Sequence, residues 1–344
     1  MTSPKRSALS GLGLSLPVLA APMAGGATTP AMVMAAARAG AMGFLAAGYK
    51  SPQSLAAEIA TVREASIPFG VNVFVPNPVP ITAQEYRRYA DALRSEADRF
   101  GLSLPADPVD DDDAFDDKID VLLADPVPVV SFTFGLPPKP VITSLRRAGT
   151  VVAQTVTALP EARAAADAGA DILVVQAVVA GGHSGTFTPD RLPEAVPLTD
   201  LVVRIGSETG LPVIAAGGLA TAEAVSGVLD AGAIAAAVGT VLLRADESAA
   251  SATHRAALID PARTETVLTR AFTGRPARGL RNSFIDRYEK IAPLGYPAIH
   301  HLTSPLRKAA AAAGEADLVH LWAGTGYRHA RDESTAAILT SLAG

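Results

Sequence analysis

"ADAGADI", residues 166–172, puts a helix end, a turn and a strand start side by side. The alanine-rich run stops at Gly169, which can take the left-handed conformation that closes a helix. Ile172 then opens the apolar run Ile172 to Val175. The same device recurs in "AARAGAMGF" (36–44) and "VLDAGAI" (228–234). Repeated tight turns from helix to strand are the sign of βα units around a parallel sheet.

Working outward, short Val/Ile/Leu/Ala runs predict strands near Val18 to Ala21, Gly43 to Ala46, Phe69 to Phe74 and Pro128 to Phe132. Four more are expected near Val151 to Thr155, Ile172 to Gln176, Val213 to Ala215 and Ile234 to Val238. Helices are expected near Pro30 to Ala39, Pro52 to Ala65, Pro138 to Arg147, Leu159 to Ala168, Leu198 to Thr209 and Ala222 to Ala231. Proline at a first turn answers glycine past the end, as in Pro160 with Gly169. A doubly wound sheet uses similar turns, but eight strands in regular succession favour an α/β fold of the (β/α)8 (TIM) barrel type.

Most strand starts lie about 21 to 27 residues apart, which suits a bare βα unit. Longer intervals follow strand three (76–124), strand six (177–197) and strand eight (240 onward). All three insertions therefore fall on the C-terminal face of the barrel, where barrel active sites form. The chain is read as a single domain, 1–344, with a lid-like insertion at 76–124 and a C-terminal insertion or extension at 240–344.

Composition narrows the class. Of 344 residues 49% are hydrophobic and only 5% aromatic, so Ala, Val and Leu must fill a sizeable core. The net charge of −5, with no basic cluster, argues against nucleic acid or an anionic membrane as partner. Cysteine is absent, which excludes disulfides, thiolate metal sites and thiol nucleophiles, and fits a reducing compartment. Residues 1–27 mimic a signal peptide, yet Gly11, Gly13, Ser15 and Pro17 interrupt the apolar run, and "PVLAAPM" reads as a first strand. A cytoplasmic protein without a cleaved segment is expected. Arg38 and nearby glycines make 31–49 a poor membrane span. The acidic residues Asp110 to Asp113, with Asp116 and Asp117, lack the spacing of a calcium loop and are expected to be a solvated charge run.

The strand ends carry the chemistry: Pro22-Met23, Asn72, Phe132, Gln154, Gln176, Gly217-Gly218 and Gly239-Thr240. They are neutral, so no metal site is expected, and no lysine stands at a strand end for Schiff-base chemistry. Bare backbone in "IAAGGLAT" and "AAAVGTVLL" suits phosphate, which barrels bind at their last two loops. Gly217, Gly218, Gly239 and Thr240 are the candidates, although glycine also serves close helix–strand packing. With a phosphate there, Asn72 and Gln176 can bond a planar heterocycle, and Ala21 to Gly25 let backbone approach it. Flavin mononucleotide (FMN) fits this set best. His183 stands in the loop after strand six between Gly181, Gly182 and Gly185. On that face it is a candidate for proton abstraction or for holding an anion. The other histidines fall on helix-like or irregular stretches of the C-terminal half.

Several segments together resemble the FMN-dependent nitronate monooxygenases, also known as 2-nitropropane dioxygenases. They are "APMAGGATTPAMVMAAARAGAMGFLAAGY", "FGVNVFVPNP", "VVSFTFGLP", "AGGHSGTF", "VIAAGGLAT", "VGTVLLRADES", "TRAFTGRPARGLRN" and "LWAGTGYR". The resemblance implies a barrel holding FMN without a covalent link. Flavin contacts would come from Met23, Ala24, Gly25, Asn72, Gln176, Gly181, Gly217, Gly218, Ala237, Val238, Gly239 and Thr240. His183 matches the family's active-site histidine. The implied reaction oxidises alkyl nitronates, such as propionate 3-nitronate, or nitroalkanes with O2, giving carbonyl compounds and nitrite. An NADH-dependent quinone or enoyl-thioester reductase is the alternative on the same barrel. A flavin-free phosphate-binding isomerase or lyase is the alternative from another class. The stretch "QAVVAGGH" departs from the many relatives with an acidic residue before the alanine.

Overall fold

A computed structural model describes residues 10–344. Part of the leader-like stretch, residues 1–9, lies outside the described residues. The first half runs β1 (Val18–Ala20), α1 (Pro30–Arg38), β2 (Met42–Ala46), α2 (Pro52–Arg63) and β3 (Gly70–Phe74). Two helices follow, α3 (Ala83–Arg99) and α4 (Phe115–Ala124). Then come β4 (Val129–Thr133), α5 (Lys139–Arg147), β5 (Val151–Val156), α6 (Leu159–Ala168) and β6 (Ile172–Gln176). The second half holds the short β7 (Gly182–His183), α7 (Leu198–Thr209), β8 (Val213–Ala216), α8 (Ala222–Asp230) and β9 (Ala235–Val238). Last are α9 (Ala252–Ala257), β10 (Thr266–Thr269), β11 (Ala277–Leu280), α10 (Ser283–Tyr288), α11 (Ala298–Ala313) and α12 (Thr335–Ala343).

The strands β1 to β6, β8 and β9 pair in parallel, and β1 closes on β9 through Val18–Ala236, Leu19–Ala237 and Ala20–Val238. This is a (β/α)8 barrel. The three glycines of the repeated turn, Gly40, Gly169 and Gly232, all have positive φ. Their lack of a Cβ is what lets helix and strand follow so closely. Period-two alternation then sorts each strand. Leu19, Met42, Phe44, Val129, Ala153, Ile172, Ile214 and Ala235 form a buried cluster that fills the barrel. Their neighbours, such as Val71, Val130, Val152 and Leu173, pack outward in the clusters shared with the helices.

The insertions rejoin the barrel at both ends. From the segment 76–124, α4 packs on α2, α5 and β3, in the place of the third barrel helix. After β9 the chain makes a long excursion, and α12 then packs on α1, α8 and β1 as the eighth. What remains forms a second hydrophobic cluster. Tyr86, Tyr89 and Leu93 of α3 pack there with Phe272, Phe284, Ile285, Leu302 and Leu306. Buried Tyr89 donates to Ala271 O at 2.6 Å. A small antiparallel sheet, β10–β11–β7, ties this cluster to the barrel by pairing Ala277 with His183 and Arg278 with Gly182.

The acidic run is only partly a solvated face. Asp110 and Asp112 are exposed, but Asp111 meets His301 Nε2 at 2.8 Å. Asp113 pairs with Lys118, whose side chain is fully buried, at 2.8 Å. Among the described residues no helix is long and apolar enough to cross a membrane, and no group of three or more His, Asp or Glu is placed to hold a metal ion.

Because α3 belongs to one cluster and α4 to another, residues 76–124 have no core of their own. Expressed alone, this segment should show little helix by far-UV circular dichroism. A cooperative thermal transition in the isolated segment would contradict that division.

Candidate active site

A cavity of about 520 Å³ opens at the C-terminal rim. Alternation decides which strand ends reach it. Asn72 and Phe74 of β3, Ser131 and Thr133 of β4, Thr155 of β5 and Gln176 of β6 line it. Phe132 and Gln154, expected at the rim, point the other way. Phe132 joins the outer cluster, and Gln154 Nε2 donates to the carbonyls of Phe132, Gly135 and Thr155. One residue of register separates the two faces of a strand.

At one end, Gly217 and Gly218 have φ of 109° and 74°, which L-residues rarely adopt. Among the described residues, the N–H groups of Gly217, Gly218, Gly239 and Thr240 make no hydrogen bond to a side chain or to a loop carbonyl. Such converging free donors beside bare backbone suit a phosphate. A Cβ on Gly239 would meet only ordinary contacts, Met23 Sδ at 3.6 Å and Ala21 Cβ at 3.7 Å. Gly239 lines the cavity, and a Cβ there would crowd neither neighbour. Ala237 and Val238 line the approach. Thr240 Oγ1 accepts from Gly324 N at 3.0 Å, so the "LWAGTG" segment forms a third wall there. Met23, Ala24 and Gly25 line the near side; the Met23 N–H is committed to Thr28 Oγ1 at 2.8 Å, leaving its side chain to face a ligand.

Deeper in, Asn72 Nδ2 donates to Ser131 Oγ (2.9 Å) and Thr133 Oγ1 (3.0 Å), which leaves its amide oxygen for a ligand. Gln176 lines the cavity, where the expected bond to a heterocycle would form, and also has partners within the protein. Its Oε1 accepts from Gly185 N at 2.7 Å and its Nε2 donates to His183 O at 3.2 Å, so it staples the loop that carries the histidine. Gly181 is needed for close approach, since a Cβ would lie 2.4 Å from Gly324 N.

His183 faces the cavity between the rings of Phe134, Tyr296 and Trp322. Its Nε2 lies 2.9 Å from Thr273 Oγ1. The Thr273 hydroxyl donates to Arg275 O, so its oxygen accepts from the imidazole, which places the proton on Nε2. Nδ1 then carries the free lone pair and has no hydrogen-bond partner among the described residues. Burial, with the cations of Arg275 and Arg307 nearby, lowers the His183 pKa from 6.5 to about 3. Both effects favour the neutral ring.

Both arginines escaped sequence reasoning. Arg275 is fully buried; its guanidinium lies 4.1 Å from the Phe134 ring centroid and donates to Thr186 O. Arg307 lines the cavity and donates to Thr303 Oγ1 (3.0 Å) and His300 O (2.9 Å). Neither has a carboxylate partner among the described residues, and burial lowers each pKa to about 10. His254, His300 and His320, from the helix-like and irregular stretches of the C-terminal half, line the same cavity. A helical period on α11 was the available signal: His300, Ser304, Arg307 and Ala311 share one face.

The fold and site define a class, the flavin-dependent barrel oxidoreductases. The model of the family "Nitronate monooxygenase" matches residues 6–343. A probable nitronate monooxygenase from Staphylococcus aureus (strain Newman) is 36% identical over 336 residues, 96% of this chain and 94% of that protein. Among solved structures, nitroalkane oxidase from Streptomyces ansochromogenes matches with a TM-score of 0.93 and 46% identity, over 98% of this chain and 97% of that one. FabK from Thermotoga maritima, at 24% identity and a TM-score of 0.75 over 98% and 95%, shares the fold. The chain belongs to the nitronate monooxygenase family. Its chemistry is the flavin-dependent oxidation of nitronates, and the flavin-free isomerase alternative falls away.

Four cavity histidines have depressed pKa values: His183 to about 3, His254 to about 4, His300 and His320 well below 6.5, each mainly through burial. The unfolded chain therefore takes up these protons first. Their contribution to stability is intact above 6.5 and shrinks as pH falls toward the folded values, by up to about 1.4 kcal/mol per pH unit for each. Urea midpoints should drop between pH 6.5 and 4.5, and His254→Asn should flatten that slope. A midpoint independent of pH over this window would refute the buried neutral histidines.

Proposed function

We propose that this chain uses FMN to oxidise alkyl nitronates, propionate 3-nitronate among them, with dioxygen to carbonyl compounds and nitrite. One observation carries the reading. The cavity lining contains no carboxylate, while Arg307 stands in it unpaired. An unpaired buried cation is costly, and a bound anion offsets that cost. A nitronate is such an anion, with its charge spread over two oxygens.

Asn72, Met23, Ala24 and Gly25 would hold the flavin ring, and Gly217, Gly218, Ala237, Val238, Gly239 and Thr240 its phosphate end. Gly181 and Gln176 shape the loop beside it. Flavin, when bound, supplies the redox chemistry between nitronate and dioxygen. Arg307 binds and orients the anion. Phe74, Phe134 and Trp322 exclude water from its reacting carbon. A neutral nitroalkane must first lose its α-proton, and His183 Nδ1 is the lone pair positioned to take it. With a pKa of about 3 it is a weak base. A substrate arriving as the anion suits the site better. The whole chain acts as one domain, with parts of 76–124 and 240–344 contributing its cover, and a cytoplasmic location fits a cysteine-free sequence.

Gly239→Leu should leave the fold intact and lower FMN occupancy, because a Cβ there meets no crowding from the protein. Flavin release on denaturation measures this, and full occupancy would remove the phosphate cradle from Gly239.

His183→Asn should nearly abolish oxygen uptake with a neutral nitroalkane and reduce it less with the preformed nitronate. A positioned base is worth about 10²–10⁴-fold, and asparagine cannot accept the proton. Oxygen uptake at matched FMN content decides this; equal losses would make His183 an orienting group only.

A further inference from the structure

Tyr49 follows β2 with φ of 65°, a conformation that a bulky residue keeps only where its surroundings impose it. Here they do. Its N–H donates to Asp113 Oδ1 at 2.8 Å, and the other oxygen of Asp113 meets the buried Lys118 ammonium at 2.8 Å. The Tyr49 ring stacks on His300, with centroids 4.2 Å apart and planes 6° from parallel, and meets Phe74 edge-on at 5.4 Å. At the hydroxyl, Tyr296 is the donor, 3.2 Å away. Tyr49 thus accepts from its neighbour, and its own proton has no protein acceptor among the described residues.

Tyr49 lines the cavity that holds His183 and Arg307. Tyr296 links it to both sides: its hydroxyl bonds Tyr49 and its ring packs on His183 at 5.8 Å. His300, stacked on Tyr49, accepts from Arg307 through its backbone carbonyl. A free hydroxyl proton, an unpaired guanidinium and a bare imidazole nitrogen therefore share one compartment.

We propose that Tyr49 donates its hydroxyl proton in a hydrogen bond to an oxygen of the bound nitronate, and that Asp113 is the positioning residue that holds Tyr49 for it. The proposal rests on the nitronate reading above. No bond is made or broken by this contact; it holds one oxygen while Arg307 balances the charge. Burial pushes the Tyr49 hydroxyl up to about 12, so the proton stays in place at working pH.

The test uses the flavin-loaded enzyme and nitrate, a planar oxyanion that resembles the nitronate head but cannot react. Nitrate is titrated against the flavin absorbance of wild type and Tyr49→Phe, alongside kcat/KM for a nitronate. A hydrogen bond to an anion lost from a buried site should weaken nitrate binding and lower kcat/KM, each about 10- to 100-fold, at unchanged flavin content and Tm. Removing the ion pair with Asp113→Ala and Lys118→Met together should weaken nitrate binding in wild type. It should have no further effect in Tyr49→Phe, because it acts through the tyrosine. Wild-type protein that binds no nitrate, or Tyr49→Phe that binds it as tightly as wild type, overturns the contact. Loss of flavin from Tyr49→Phe also overturns it, since the hydroxyl would then serve the cofactor. Equal effects of the double substitution in both backgrounds overturn the role of Asp113. If wild type binds nitrate but oxidises no nitronate, the assigned reaction fails while the nitrate titration still judges Tyr49.

Discussion

Closure of β1 on β9 is the constraint from which the site follows. A closed parallel sheet sends every loop that leaves a strand to one rim, so residues far apart in the chain converge there without any local signal. It also fixes the two faces of each strand. One face must fill the barrel with side chains as small as Ala153 and Ala235, and the other must meet the helices. The polar residues that survive on the inner face, Asn72, Ser131, Thr133, Thr155 and Gln176, sit at the upper ends, where the filling stops and the cavity starts.

The second cluster turns that rim into a dry compartment. Helix α11 brings His300 and Arg307, and β11 pairs with the short strand carrying His183, so the cover and the reactive loop are one piece of structure. Burial under this cover dominates the electrostatics. It drives all four histidines neutral and leaves two guanidinium groups without a carboxylate. The compartment is positive by composition and weakly basic by burial, a combination suited to an anion that needs no deprotonation.

The barrel was legible because its signals are local. Gly169, Gly40 and Gly232 mark helix ends by their backbone freedom, and all eight strands lie within a residue or two of the apolar runs that predicted them. The glycine-bearing loops after β8 and β9 were legible for the same reason, since bare glycines are visible at any distance from their partners. His183 stood out through its glycine frame. Phe132 and Gln154 were misplaced because a run apolar on both faces carries no mark of which residue points inward.

The sequence by itself determined the fold, the rim on which chemistry occurs and the one histidine in its glycine loop, because each depends on backbone conformation over a few residues. Only the tertiary structure decided what those residues can do. Gln176 became a staple of the histidine loop as well as a cavity-lining group because Gly185 N and His183 O lie within reach of its amide. His183 became neutral through burial beside Arg275 and Arg307, and its Nδ1 stays free because Thr273, ninety positions on, took its other nitrogen. Arg307 and Tyr49 entered the cavity through packing between α11 and the turn after β2, which Asp113 of the insertion holds from outside. Burial and hydrogen-bond partners set charge and tautomer, and both are properties of contacts distant in the chain, which no local pattern records.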